Sequence, residues 1–300
     1  GRGDAALTNQ GWKDSGDSVM YRDGELARPP IALCEPQGYL YASWRQVSRL
    51  AAMLGHRRVS ARLAREASAL KKRFNRDFWM ETDGFVALAL DGQGRQCDVI
   101  SSNPGHLLGT GILDEAKAEA VANRLMGQQM FCGWGIRTLS AGERAYNPMS
   151  YHNGSVWPHD NALAVEGLCA IGRTADAHAV MRGLFEAARH QPDLRLPELF
   201  CGFPPAGSGG PVRYPVSCVP QAWAAGSMLQ MLTACLGLVP NGKRKELRVV
   251  RPSIPSWLGT VTVTGLRVGD GSVDLRFDCA GDRTSCQVLA SRGGVRVVVQ

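Results

Sequence analysis

Nowhere in the 300 residues does an apolar run approach the 18 or so positions that a membrane-spanning helix needs, which excludes a helical membrane protein. The opening residues are polar and Gly-rich with no apolar h-region, so no signal peptide is expected, although the chain starts on Gly1 and not on methionine. Charge is sparse. Charged residues make up 20% of the chain against 44% apolar, enough for a large core, so the chain is globular and not disordered. The length allows one large domain, or one domain with a small appendage.

Paired cysteines are missing as well. Cys34, Cys97, Cys132, Cys169, Cys201, Cys218, Cys235, Cys279 and Cys286 are scattered singly, without a CxxC pair or a His partner at zinc-finger spacing. An odd count lying mostly within apolar runs argues against a disulfide framework and for reduced, buried thiols in a cytoplasmic protein. His152 and His159 lie in a loop without metal-ligand spacing, so neither a metal nor another cofactor is expected. The formal charge of +7 has no focus. Its two clusters, Lys71-Lys72-Arg73 and Lys243-Arg244-Lys245, are each read as closing a helix, where cations complement the dipole, so no nucleic-acid or membrane partner is expected. No period of about 20–50 residues points to a solenoid.

What is present is helical periodicity. Apolar spacing predicts helices at about 36–54, 57–78, 114–128, 155–171, 174–190 and 218–237, with weaker ones near 17–22 and 103–109. Asp114 and Thr174 open two of them and Gly55 closes the first. Strand-like alternation is nearly absent before residue 247. Strands are then expected around Leu247 and Val249, at 260–264, 273–277 and 295–299, with turns at 269–271 and 293–294. The architecture therefore changes near residue 245. We expect an all-α catalytic domain over 1–245, an α/α toroid of paired inner and outer helices, and a small antiparallel β unit over 246–300 packed on it. A ring of six hairpins needs more helices than the eight or so found, so its N-terminal part is expected outside this chain, on an upstream domain or a partner.

Four loop segments are rich in Trp, Tyr, His, Asn, Asp and Gly: residues 9–18, 101–109 with 133–138, 146–161, and 196–203. A sugar offers an apolar ring face and an edge of hydroxyls, which flat aromatics and short polar side chains match. Loops on a rigid scaffold are where such sites form.

Within these loops Trp12-Lys13-Asp14-Ser15, the run Tyr151-His152-Asn153-Gly154-Ser155-Val156-Trp157-Pro158-His159-Asp160-Asn161, and Pro197-Glu198-Leu199 resemble the bacterial amylo-α-1,6-glucosidase family. This glycogen-debranching-enzyme-like family belongs to the (α/α)6 glycoside hydrolases, and the similarity runs to about residue 240. The resemblance implies an inverting, exo-acting hydrolase that releases a terminal glucose-like sugar from an α-linked glucan or oligosaccharide. It assigns Asp14 as general acid and Glu198 as general base, with Asp17 as competing acid and N-capping as the structural alternative for both aspartates. A protonated acid near neutrality would be favoured by burial beside Trp12. Tyr151, His152, Trp157, His159 and Asp160 resemble the family's sugar-binding loop, with His152, Trp157 and Asp160 in direct contact. Trp12, His106 and Trp134 join them as substrate-binding candidates. Glu35 is open between helix capping and substrate contact, and Gln221 and Trp223 between core and site. Arg137 is open between clamping a hydroxyl pair and pairing with an acid.

Two other readings compete: a toroid phosphorylase or epimerase, and a truncated, non-catalytic sugar-binding remnant.

Overall fold

The computed structural model describes residues 9–281 and 283–300. Contacts divide the chain into two compact units, Gly1–Ser227 and Met228–Gln300. The first unit carries β1 (Ala32–Leu33), α1 (Cys34–Met53), α2 (Arg57–Asp77), β2 (Trp79–Met80), β3 (Phe85–Val86), β4 (Ala89–Leu90) and β5 (Gln96–Cys97). It continues with α3 (Glu115–Leu125), α4 (Pro158–Ala170) and α5 (Thr174–Arg189), and α6 (Ala222–Leu236) leads into the second unit.

Two helical hairpins frame the first unit, α1 with α2 and α4 with α5. The sequence of α2 explains its packing: Leu63, Ala67, Leu70 and Phe74 recur every three or four residues, form one stripe and are buried. Between the hairpins runs a 3-10 stretch, Asn103–Leu107, buried throughout. Two glycines let the helices close on it. A Cβ at Gly38 of α1 would come within 2.6 Å of Leu107 Cδ2, and one at Gly167 of α4 within 2.5 Å of Leu108 Cβ. Any larger residue would push a helix away from the segment that carries His106.

The second unit holds the rest of α6, β6 (Leu238–Asn241), β7 (Glu246–Val249), β8 (Thr260–Val268), β9 (Gly271–Ala280), β10 (Arg283–Arg292) and β11 (Arg296–Val299). One sheet has the order β10-β9-β8, antiparallel throughout; the other is β11-β7-β6. In β9 every second residue faces inward, so Val273, Leu275 and Phe277 join Leu236, Leu247, Val249 and Val268 in a single core.

All six strongly periodic helices form, within a few residues of their expected ends. Other expectations need correction. The fold is not all-α, because helices and sheets are mixed in both units and five two-residue strands precede α3. Strands that short cannot express a period of two. Residues 17–22 form no helix; Met20 makes a bridge with Leu26 instead. The β unit is not purely antiparallel, since β11 lies parallel to β7. β10 went unread because it lies at a sheet edge and buries none of its residues, which removes the apolar alternation. The basic cluster at 243–245 closes no helix: it falls in and after a 3-10 turn, Gly242–Arg244, with Lys245 paired to Asp270 at 2.9 Å. Among the described residues all nine cysteines are free, and no helix is long and apolar enough to cross a membrane.

Phe277 is fully buried in the core of the second unit. Phe277→Ala is expected to lower that unit's stability by about 3–5 kcal/mol in urea unfolding, whereas a loss under about 1 kcal/mol would remove Phe277 from the core.

Candidate active site

The site is assembled by backbone bridges between loops distant in sequence. Arg137 pairs with Val156, Val156 with Phe200 and Phe200 with Arg213. The Val156 N–H donates to Phe200 O at 2.9 Å and the Phe200 N–H to Val156 O at 3.1 Å. Phe200 and Val156 are both fully buried, so apolar burial reinforces the bridge. This ties the 146–161 loop to the 196–203 loop and sets Tyr151 against Glu198. The Tyr151 hydroxyl donates to Glu198 Oε1 at 2.9 Å, and the Cys218 N–H donates to Oε2 at 3.2 Å. The half-buried Glu198 carboxylate is thus held from both oxygens.

The first loop is pinned by Lys13, whose buried ammonium donates to Thr138 O at 2.8 Å. Burial drives the Lys13 pKa down to about 8, against the opposing pull of Asp160 and Glu35. Next to it, Ser15 Oγ lies 2.9 Å from His152 Nδ1. The Asn153 amide donates to the Asp17 backbone oxygen at 3.1 Å and to its carboxylate at 3.2 Å. Asp14 Oδ1 is 3.9 Å from His152 Nε2, and the Asp14 side chain is 63% exposed. The field of both Asp14 and Glu198 reaches the Tyr151 hydroxyl, so the two acids flank the Tyr151-His152 corner.

Trp12 is the hub of the aromatic packing. Its ring lies 5.9 Å from His106, 5.5 Å from His152 and from Trp157, and 4.9 Å from His159. Trp157 stacks on His152 at 5.0 Å and donates its Nε1 to Tyr151 O at 2.9 Å. Trp223 is 52% exposed and sits 4.2 Å from the His159 ring. Burial, reinforced by the Lys13 cation, lowers the His152 pKa to about 3; burial, with His106 nearby, lowers that of His159 to about 4.

A chain of buried polar groups runs beneath Trp12. His106 Nε2 donates to Asp160 Oδ1 at 2.7 Å, and the Tyr39 hydroxyl lies 2.6 Å from His106 Nδ1. Burial alone would raise the Asp160 pKa, but the His106 hydrogen bond and the nearby Lys13 ammonium outweigh it and hold the carboxyl below its usual value. Among the described residues nothing hydrogen-bonds to Trp12 Nε1, His152 Nε2, His159 Nε2 or Asp160 Oδ2, all buried. No group of three or more His, Cys, Asp or Glu side chains among the described residues is arranged to hold a metal ion.

Several candidates sit differently from expectation. Asp14 is not buried beside Trp12: that ring is occupied by three histidines and Trp157, and the carboxylate points outward. His152, Trp157 and Asp160 are buried, and the open surface belongs to Asp14, Asp17 and Trp223, with Trp12, Tyr151, Glu198 and Gln221 half-buried. Glu35 neither caps α1 nor meets solvent; it is 2% exposed and accepts from the Asn103 amide at 3.0 Å. Arg137 pairs with no acid among the described residues; its guanidinium donates to the backbone oxygens of Gly202, Gln128 and Gln129. Trp134 packs against His190 at 6.0 Å, apart from the other rings. Gln221 Oε1 accepts from the Ala224 N–H at 2.8 Å in the first turn of α6. Sequence reading missed Lys13, Tyr39, Asn103 and Tyr214, the last 5.5 Å from Tyr151. Lys13 and Asn103 stood inside the polar loops; Tyr39 carried no signal, being a single exposed residue of a helix.

Residues 4–211 match the family model described as mannosylglycerate hydrolase MGH1-like glycoside hydrolase domain. No curated protein matches the chain. Among solved structures, one titled "Sialidase" aligns with a TM-score of 0.67 at 15% identity, over 96% of this chain and 28% of its own. The neutral trehalase of Saccharomyces cerevisiae aligns at 0.58 and 14% identity, over 74% of this chain and 41% of its own. The GH63 mannosylglycerate hydrolase of Thermus thermophilus, crystallised with glucose, aligns at 0.53 and 16%, over 68% and 48%. The chain spans less than half the length of each. At such identity the likeness concerns the fold alone.

The lowered histidines predict a pH effect. Unfolded, His152 and His159 take protons near 6.5; folded, they resist until about 3 and 4. Above about 6.5 they place no penalty on the fold; as pH falls below that, the unfolded chain binds protons first and stability declines, levelling off only at about 3–4. Urea midpoints should therefore drop between pH 7 and pH 5, and neither imidazole should titrate by NMR in that range. A midpoint between those pH values for either ring would contradict the assignment.

Proposed function

The chain belongs to the mannosylglycerate hydrolase MGH1-like glycoside hydrolase family, and from that premise we propose that it is an inverting, exo-acting hydrolase removing a terminal glucose-like sugar from an α-linked oligosaccharide or glucan. The observation that carries the reading is that Asp14 and Glu198, 184 positions apart, each approach one of two adjacent residues, Asp14 at 3.9 Å from His152 Nε2 and Glu198 at 2.9 Å from the Tyr151 hydroxyl. An inverting reaction needs two carboxyl groups with a water between base and sugar, typically about 6.5–9.5 Å apart.

In this reading Glu198 is the base. Tyr151 and the Cys218 N–H fix its plane, leaving a lone pair to accept a proton from the water that attacks the anomeric carbon. Asp14 protonates the departing glycosidic oxygen. Its side chain, 63% exposed, is open to a sugar arriving from solvent. Asp17, engaged by Asn153, is the alternative acid. Trp223 offers an exposed flat face for stacking, and the buried atoms without partners beneath Trp12 suit a polar ligand or water better than an apolar one. The 1,6 linkage is the finer part of the proposal and depends on the likeness of the 146–161 loop to debranching enzymes.

We propose further that the hairpins α1–α2 and α4–α5 belong to an (α/α)6 ring whose remaining helices come from an upstream segment or a partner. In support, α1 exposes Val47, Leu50, Met53 and Leu54, an apolar strip that an uncovered helix rarely tolerates.

Incubation with isomaltose, maltose and a mannosylglycerate, with NMR of the released anomer, tests the reaction: β-anomer from an α-linkage is expected. Asp14→Asn and Glu198→Gln should each lower kcat by about 10²–10⁴-fold. Asp17→Asn is run beside them, and collapse of that variant with a near-normal Asp14→Asn transfers the acid role to Asp17. Phosphate-dependent turnover would replace hydrolysis by phosphorolysis.

A further inference from the structure

Tyr39 is absent from every loop that reads as carbohydrate-binding, yet it is the solvent-facing end of the buried polar chain. It lies on the first turns of α1, 41% exposed, with its hydroxyl 2.6 Å from His106 Nδ1. His106 is buried between the rings of Tyr39, at 6.2 Å, and Trp12, at 5.9 Å, both inclined by 27°. Its other nitrogen meets Asp160, and both side chains are 1% exposed. Gly38 and Gly167 let α1 and α4 pack closely against the 103–108 segment that carries His106.

The direction of this chain follows from its ends. Asp160 is a carboxylate already countered by the buried ammonium of Lys13, and a carboxylate can only accept. His106 Nε2 therefore carries the hydrogen. In the neutral ring Nδ1 is then bare, and it must accept the Tyr39 proton. With that proton committed inward, the Tyr39 oxygen has only lone pairs left for whatever stands above it.

Resting on the glycosidase reading of the site, we propose that Tyr39 is a specificity-determining residue: an acceptor-only contact that selects a hydroxyl-bearing, uncharged sugar position and disfavours a carboxylate there. A hydroxyl donates to Tyr39 without disturbing the chain. A carboxylate would face it lone pair to lone pair, and His106 would have to take up a further proton in a buried site to reverse the polarity. Asp160 and His106 are positioning residues, acting through Tyr39.

The test is binding, followed by tryptophan fluorescence of the whole chain, with D-glucose, its monodeoxy analogues and D-glucuronate as probes. Tyr39→Phe leaves the buried His106 Nδ1 without its donor, so a lower urea midpoint is expected while circular dichroism shows the fold retained. We expect it to weaken glucose binding about three- to tenfold, the worth of one hydrogen bond. One deoxy analogue should bind wild type and Tyr39→Phe equally, while glucuronate should bind wild type more weakly than glucose and recover in the variant. A second readout needs no sugar: 15N NMR of His106, assigned by its loss in His106→Gln, should report Nε2–H with a bare Nδ1 at pH 7.5. Equal glucose affinity in both proteins, or an Nδ1–H ring, overturns the proposal and leaves the hydrolase reading intact. Failure of wild type to bind any of the sugars overturns both.

Discussion

The hydrogen bond from His106 to Asp160 joins two elements that local sequence would never bring together. His106 lies on a short 3-10 stretch with little helical bonding of its own, and Asp160 lies in the first turn of α4. An isolated buried carboxylate would cost several kcal/mol, so the pair is tolerated only with the compensating Lys13 ammonium nearby. That requirement fixes three separate pieces at once. The loop carrying Lys13 must enter, α4 must approach within the space freed by Gly167, and α1 must approach within that freed by Gly38. Asp14, the neighbour of Lys13, then emerges at the surface because the preceding residue is anchored inside.

The same logic separates the two acids by environment. Glu198 is half-buried and each of its carboxylate oxygens accepts from a fixed donor, an arrangement that holds the group in one orientation. Asp14 has no such pair of donors among the described residues and stands in solvent.

How far could this be read from the sequence? The helices with a continuous apolar stripe were legible almost to the residue, α2 above all, because Leu63, Ala67, Leu70 and Phe74 repeat at the helical period. The candidate loops were legible from composition. What the composition could not supply was depth. Trp157 and His152 read as sugar-binding groups, yet they are buried and stack on one another, whereas the exposed aromatic platform, Trp223, lay in a helix that read as apolar. Arg137 read as either a hydroxyl clamp or an acid's partner and is a backbone clamp, because three carbonyl oxygens of converging loops needed a cation's donors. Pairings across 54 to 137 residues, such as His106 with Asp160 or Ser15 with His152, leave no periodic trace.

Depth also explains why so many polar groups surround Trp12. A tryptophan ring with three histidines against it is costly if those histidines must be charged, and burial answers this by keeping His152 and His159 neutral far below their ordinary range. Neutral imidazoles can be donors or acceptors according to tautomer, so a layer of them is a set of hydrogen-bond directions that the deeper charges can assign. Asp160 makes that assignment for His106, and Ser15 bears on it for His152. The polarity that a ligand meets at the surface is then decided one layer down, by groups that need never touch it.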